Sequence, residues 1–128
     1  MLDFLLLRPW GYTVVEVDEW QHKGVTYDPR ADVLRDFDIA KNLKLQPQEK
    51  IHIVRYNPDS FCVDGVARRV PTKARLARLL AFLQEAAEPE RHFERLFFYY
   101  DSETGSSLPQ VSACWDDPAA RAVSRVVA

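Results

Sequence analysis

The first eighteen residues most strongly constrain the fold, because they form two short apolar segments on either side of a tight turn. Residues 2–7 are almost entirely apolar, and residues 12–18 are rich in β-branched and aromatic side chains, which favour strands. Residues 8–11 contain a proline and a glycine, the residue types that tight turns use. We therefore predict an antiparallel hairpin at the start of the chain.

Carboxylates collect at one end of this predicted hairpin. Side chains alternate along a strand, so Glu16 and Asp18 share one face and lie about 6 to 7 Å apart, while Asp3 heads the other strand. Crowded carboxylates repel each other and raise each other's pKa. A hard divalent cation removes that cost, because Mg²⁺ and Mn²⁺ prefer oxygen ligands. The pattern predicts a Mg²⁺ or Mn²⁺ site formed by Asp3, Glu16 and Asp18.

The rest of the chain alternates helix and strand. We expect a helix over 28–42 with an apolar stripe, a strand over 51–56, a second helix from Thr72 to about Glu88, and a strand over 96–100. Leu76, Leu79, Leu80 and Leu83 are the expected buried stripe of the second helix. The tail suggests a terminal helix from residue 117 to 126. This order, ββαβαβ, predicts a small α/β fold with a mixed sheet and flanking helices.

Length and composition bound the class of protein. A chain of 128 residues with 47% hydrophobic and 28% charged residues is typical of one globular domain, here 1–128. Within it we expect a core at 2–60, a further helix and strand at 66–101, and a tail at 102–128. No apolar run reaches the ~20 residues that span a bilayer, and no signal peptide is recognisable. We expect an intracellular protein, cytoplasmic or nuclear, with no membrane contact and no structural zinc.

Charge is unevenly distributed although the net charge is only -2. The stretch 65–84 contains no acidic residue and five basic ones, Arg68, Arg69, Lys73, Arg75 and Arg78. These cations could form the solvated face of a helix or a patch that contacts phosphates, where each contact adds salt-dependent affinity without sequence preference. The residues alone leave both interpretations open.

Two motifs carry a resemblance to a known family. An acid before the first strand and a second acid near the end of the next strand, at Asp3 and Glu16, resemble the restriction-endonuclease-like PD-(D/E)xK nuclease core, with Asp18 where that pattern has lysine. Residues 16–22 read Glu-x-Asp-Glu-x-Gln-His, and residues 55–59 read Arg-Tyr-Asn-Pro-Asp. Over residues 2–60 this is similar to a branch near very-short-patch repair and EDxHD homing endonucleases, which includes uncharacterised proteins of large DNA viruses and protists.

The resemblance implies a metal-dependent endonuclease acting on DNA. Asp3 and Glu16 would bind Mg²⁺, Asp18 would add a ligand or position the attacking water, and Gln21 with His22 would transfer a proton. Arg35 would hold an acid or a phosphate, unless it forms an ion pair with a neighbouring aspartate. The family core usually begins with a further helix and strand, which we expect to be absent or replaced here.

Three functional hypotheses follow from these residues. The first is a catalytic endonuclease domain, and the second is a catalytically inactive nucleic-acid-binding or regulatory module of the same fold. The third is a small interaction protein without a nucleic-acid role. The sequence allows a monomer or a homodimer and does not separate DNA from RNA as the partner.

Overall fold

The computed structural model describes residues 2–19, 29–85, 87–101 and 122–127. Five strands form one sheet in the order β1-β2-β3-β6-β7, and β4 pairs with β5 in a separate hairpin. The α/β class and the mixed sheet are therefore confirmed. In chain order the elements are β1 (Phe4–Arg8), β2 (Gly11–Val17), α1 (Pro29–Asn42), β3 (Lys50–Tyr56), β4 (Phe61–Val63), β5 (Val66–Arg68), α2 (Thr72–Glu85), β6 (Phe93–Phe98) and β7 (Ala122–Val127).

The sheet is mixed because only its first pair of strands is antiparallel. β1 and β2 form the predicted hairpin, whereas β2, β3, β6 and β7 run parallel to one another. Gly11 begins β2 directly beside Lys50 and has a φ of 149°. A Cβ atom at position 11 would lie 1.9 Å from the Lys50 carbonyl oxygen, so only glycine fits this close approach.

The two helices pack on opposite faces of the sheet. Ala40 of α1 packs with Val14, and Leu79 of α2 packs with Val15, the next residue along β2. Since β2, β3 and β6 lie side by side in that order, helices on opposite faces mean that the two crossovers differ in hand. One of them therefore departs from the right-handed rule. Neither α1 nor α2 is long and apolar enough to cross a membrane.

Two predictions of local structure need correction, and one hairpin was not predicted. In α2, Leu79 is buried and Leu83 packs against the same core, as predicted, whereas Leu76 and Leu80 are 44% and 54% exposed. Arg75 takes the other buried position of this helix. The β4–β5 hairpin was not predicted. The tail, where residues 122–127 are described, forms strand β7 rather than the end of a helix. It pairs parallel to β6, which gives the sheet a fifth strand.

Candidate functional site

Asp3 and Glu16 meet where β1 begins and β2 ends. The pairing of Phe4 with Val15 brings the two carboxyl-bearing residues next to each other across the hairpin. Asp3 is exposed, and one of its oxygens, Oδ2, accepts a hydrogen bond from the Val17 backbone N at 2.8 Å. Glu16 is only 3% exposed, and its Oε1 atom is buried without a hydrogen-bond partner. The pair therefore combines one carboxylate that faces water with one that is buried and incompletely satisfied.

The environment of Glu16 disfavours its charged form. Burial raises the pKa of this carboxyl, and the hydrogen bond and negative charge of Asp3 raise it further. The guanidinium groups of Arg35 and Arg55 act in the opposite direction without cancelling the effect of burial. Burial therefore outweighs the positive charge of Arg35 and Arg55 at Glu16, and this is an electrostatic condition in which a cation or a proton binds favourably.

Arg35 is the nearest cation to Glu16 on α1. Its Nη2 atom lies 3.6 Å from Glu16 Oε1, which is an ion pair but too long for a hydrogen bond. The Arg35 side chain is 48% exposed, whereas that of Glu16 is almost fully buried. The prediction that Arg35 faces the acids agrees with this geometry, and the pairing is a loose one.

Asp18 occupies the same face as Glu16 but is held by other groups. Arg55 Nη1 donates to both of its oxygens, at 2.9 Å to Oδ1 and 3.0 Å to Oδ2, and the Tyr100 hydroxyl also donates to Oδ2. Both oxygens are therefore engaged within the protein. The role of Asp18 as a ligand of a metal ion shared with Asp3 and Glu16 stays a prediction, and it would require these hydrogen bonds to break.

Arg55 links Asp18 to a second buried aspartate. Its Nη2 donates to Asp36 Oδ1 at 2.5 Å, its Nε donates to Asp36 Oδ2 at 3.2 Å, and Arg95 Nε donates to the same Oδ2 at 2.7 Å. We call Asp18, Arg55, Asp36 and Arg95 the buried charge network. Its two guanidiniums balance its two carboxylates, and the network joins the residue that follows β2 to β3, β6 and α1.

Sequence reasoning missed the buried charge network, although a signal was present. Arg55 and Arg95 each stand inside a strand that is otherwise dominated by apolar residues. An arginine in a parallel strand covered on both faces requires a buried acid as partner. Asp36, which lies one turn before Ala40 on the inner side of α1, is that acid. The motif at 55–59 therefore begins with a structural arginine.

Arg75 must be removed from the predicted phosphate-binding patch. It is 6% exposed, and its guanidinium donates to the carbonyl oxygens of Asn57, Asp59 and Val70 at 2.7 to 3.1 Å. It also lies over an aromatic ring, with 5.0 Å from its Cζ to the centroid of Phe61. This arginine fixes the turn after β3 to the start of α2 through its Nε and Nη1 atoms.

Asn57 completes the same turn. Its Nδ2 donates to the Tyr99 carbonyl at 2.8 Å, and its Oδ1 accepts from the backbone N of Asp59 at 3.0 Å. Asn57 is fully buried, and its hydrogen bonds explain why an asparagine directly follows β3. Together with Arg55, Asn57 gives residues 55–59 a structural explanation that does not require contact with substrate.

The other predicted phosphate contacts are exposed. Lys73 and Arg78 lie on α2, whose packing side covers the face of the sheet opposite to the one that carries Glu16. A substrate that touches both the carboxylate pair and these cations must therefore reach around the end of the sheet. The exposed set consists of Arg68, Arg69, Lys73 and Arg78.

Gln21 and His22 lie outside the described residues, so their predicted role in proton transfer stays a prediction. Among residues 2–19, 29–85, 87–101 and 122–127, no three His, Cys, Asp or Glu side chains are grouped to hold a metal ion. Within this part of the chain, the Asp3–Glu16 pair offers two protein ligands. No family model, curated protein sequence or solved structure matches the chain.

Proposed function

We propose that this chain is a divalent-cation-dependent endonuclease that hydrolyses DNA phosphodiester bonds at the Asp3–Glu16 pair. One observation carries the proposal. Glu16 Oε1 is buried and has no hydrogen-bond partner, and it lies in a pair whose other carboxylate, that of Asp3, is exposed. A buried acceptor without a donor is costly, and a cation that enters from the Asp3 side would remove that cost.

The donor set fits Mg²⁺ or Mn²⁺. These ions commonly use one or two carboxylates, and water and substrate phosphate complete their coordination. When bound, such an ion supplies polarisation of the phosphate and a lowered pKa for the attacking water. Exposure of Asp3 leaves room for substrate, and burial of Glu16 strengthens its attraction for a cation.

The other motif acid has a different role in this proposal. Asp18 is held by Arg55 and Tyr100, so it supports the end of β2 as a positioning residue. The chain continues from Asp18 toward Gln21 and His22, and we keep His22 as the group that transfers a proton. The resemblance supports this role, and so does the titration of imidazole near neutral pH.

Metal binding and DNA cleavage test the proposal together. We expect Mn²⁺ to bind the purified protein in a calorimetric titration and to support nicking of supercoiled plasmid DNA. Glu16→Gln and Asp3→Asn should abolish both, because each removes half of the anionic donor set. Glu19→Gln is the matched control, because Glu19 is an exposed acid of the same segment. Equal nicking by wild type and Glu16→Gln would refute the proposal.

A second candidate function is a non-catalytic nucleic-acid-binding module of the same fold. Two features favour it: Asp18 stands where the family pattern has lysine, and Arg55 already neutralises that acid. The exposed cations on β5 and α2 would then carry binding to DNA. This candidate predicts salt-sensitive DNA binding without cleavage or Mn²⁺ affinity, and weaker binding when Arg68→Glu and Arg69→Glu are combined. Unchanged binding by that double variant would remove its support.

A further inference from the structure

The ion pair between Arg35 and Glu16 joins a half-exposed cation to a buried anion. Glu16 Oε1 is buried, so its negative charge needs a partner, yet the Arg35 Nη2 atom remains 3.6 Å away and forms no hydrogen bond to it. The Arg35 side chain is half exposed and does not share the burial of its partner. Arg35 therefore provides charge without full coordination, and a ligand that coordinates Glu16 directly has an advantage over it.

The backbone of Arg35 is held firmly although its side chain is exposed. The next residue, Asp36, is fully buried and bonded to both Arg55 and Arg95. α1 is therefore fixed against the sheet at this point, and the Arg35 side chain starts from a defined position. Its long side chain can turn between Glu16 and solvent while the helix stays in place.

We propose that Arg35 is a resident counter-ion that a divalent cation displaces from Glu16, and that the released guanidinium then binds a phosphate of the substrate. The inference rests on the proposed function of the Asp3–Glu16 pair and adds an order of events to it. A guanidinium and a divalent cation at one buried carboxylate repel each other, so each weakens the binding of the other. Arginine is well suited to the second role, because its planar group binds phosphate with two parallel hydrogen bonds.

The Mn²⁺ affinity of the protein without DNA tests whether a divalent cation displaces Arg35 from Glu16. Arg35→Gln removes the competing charge, and we expect Mn²⁺ to bind this variant about five to ten times more tightly than wild type, as the loss of one nearby repulsive charge predicts. Arg35→Lys keeps the charge and should bind Mn²⁺ with an affinity close to that of wild type. Lys41→Gln is the matched control, since Lys41 is an exposed cation in the last turn of the same helix. It should leave Mn²⁺ affinity unchanged.

Binding of a phosphorothioate DNA duplex, which resists hydrolysis, tests whether the released Arg35 guanidinium contacts a phosphate. In Mn²⁺ the dependence of log affinity on log salt should fall by about one for Arg35→Gln relative to wild type, because one phosphate contact is lost. In EDTA the two proteins should have the same dependence, because Arg35 is then held by Glu16. This metal-dependent difference would not arise from a merely structural role of Arg35.

The outcomes separate the two proposals. If wild type binds Mn²⁺ and Arg35→Gln binds it equally or more weakly, the displacement is refuted and the proposed metal site stands. If Mn²⁺ binds more tightly but the salt dependence in Mn²⁺ is unchanged, Arg35 is a counter-ion only and the phosphate contact is refuted. If neither protein binds Mn²⁺, the metal site itself is refuted, and the displacement falls with it.

Discussion

Replacing Arg55 with methionine should destabilise the fold more than replacing any exposed arginine. Arg55 is fully buried and donates to Asp18 and Asp36 at four donor–acceptor distances between 2.5 and 3.2 Å. Without it the buried charge network changes from neutral to one net negative charge, and two buried carboxylates lose donors. Removing one partner from a buried ion pair costs about 3 to 5 kcal/mol. That is a large part of the total stability of a domain of this size.

Urea unfolding followed by tryptophan fluorescence measures this cost. With a slope of about 2 kcal/mol/M, a loss of about 4 kcal/mol should lower the unfolding midpoint by about 2 M. Arg69→Met is the control, because Arg69 is exposed and its loss should change the free energy of unfolding by no more than about 0.5 kcal/mol. A midpoint for Arg55→Met within a few tenths molar of wild type would refute the role we assign to the network.

A double-mutant cycle adds a sharper test of the same reasoning. Asp18→Asn should destabilise wild type, because Arg55 loses a charged acceptor, but it should cost little or nothing in Arg55→Met, because it removes an uncompensated charge. The coupling between the two positions should therefore reach about 1 to 3 kcal/mol. Costs that simply add would show that Asp18 and Arg55 stabilise the fold independently.

Three further predictions follow from single residues. Glu16→Gln should be more stable than wild type near pH 7, because the raised pKa of Glu16 makes the folded state lose stability as the pH rises from 4.5 through that pKa, and the gap should close at pH 4. Urea unfolding at both pH values checks this, and a variant that is less stable at pH 7 would contradict it. Gly11→Ala should lower stability by at least about 3 kcal/mol, since its Cβ would collide with the Lys50 carbonyl and its φ is positive; a Tm within a few degrees of wild type would contradict the β2–β3 register. Arg75→Lys should cost about 2 to 3 kcal/mol, because lysine cannot reach three carbonyls from a planar group, whereas Arg78→Lys on the exposed side of α2 should be neutral in the same thermal unfolding assay.

The main elements of the fold could be predicted from local patterns. The β1–β2 hairpin, α1, β3, α2 and β6 all have the apolar periodicity and the turn residues of their class. The β4–β5 hairpin has three residues in each strand, too few for alternation to be visible. Its turn was nevertheless marked, because Asp64 and Gly65 are the pair that two-residue hairpins favour, and both have positive φ. Within the described part of the chain, β7 pairs with β6 in the parallel part of the sheet, a long-range contact that local patterns do not specify.

The site was predictable in part, for a physical reason. Spacing along β2 correctly put Glu16 and Asp18 on one face, and the hairpin put Asp3 beside Glu16. The spacing of residues along β2 does not specify which cations of the protein contact those acids. Arg55 lies on β3, more than thirty residues later in the chain, and binds the carboxylate of Asp18. Tertiary contacts decide which of these acids is paired with a cation of the protein, and a motif match does not reveal such contacts.

The raised pKa of Glu16 and its proposed cation site have the same origin, so a proton and a metal ion should compete there. Asp18 and Asp36 are bonded to two buried arginines, whereas the Asp3–Glu16 pair forms a loose ion pair with Arg35. At low pH a proton on Glu16 neutralises part of the negative charge of the Asp3–Glu16 pair, and Mn²⁺ must displace that proton in order to bind. We therefore expect Mn²⁺ affinity to increase as the pH rises through the raised pKa of Glu16, with proton release on binding, and to become constant above it. Calorimetry in two buffers of different ionisation enthalpy measures both quantities. An Mn²⁺ affinity that is independent of pH from 4.5 upward, with no proton released, would show that the ion does not bind to Glu16.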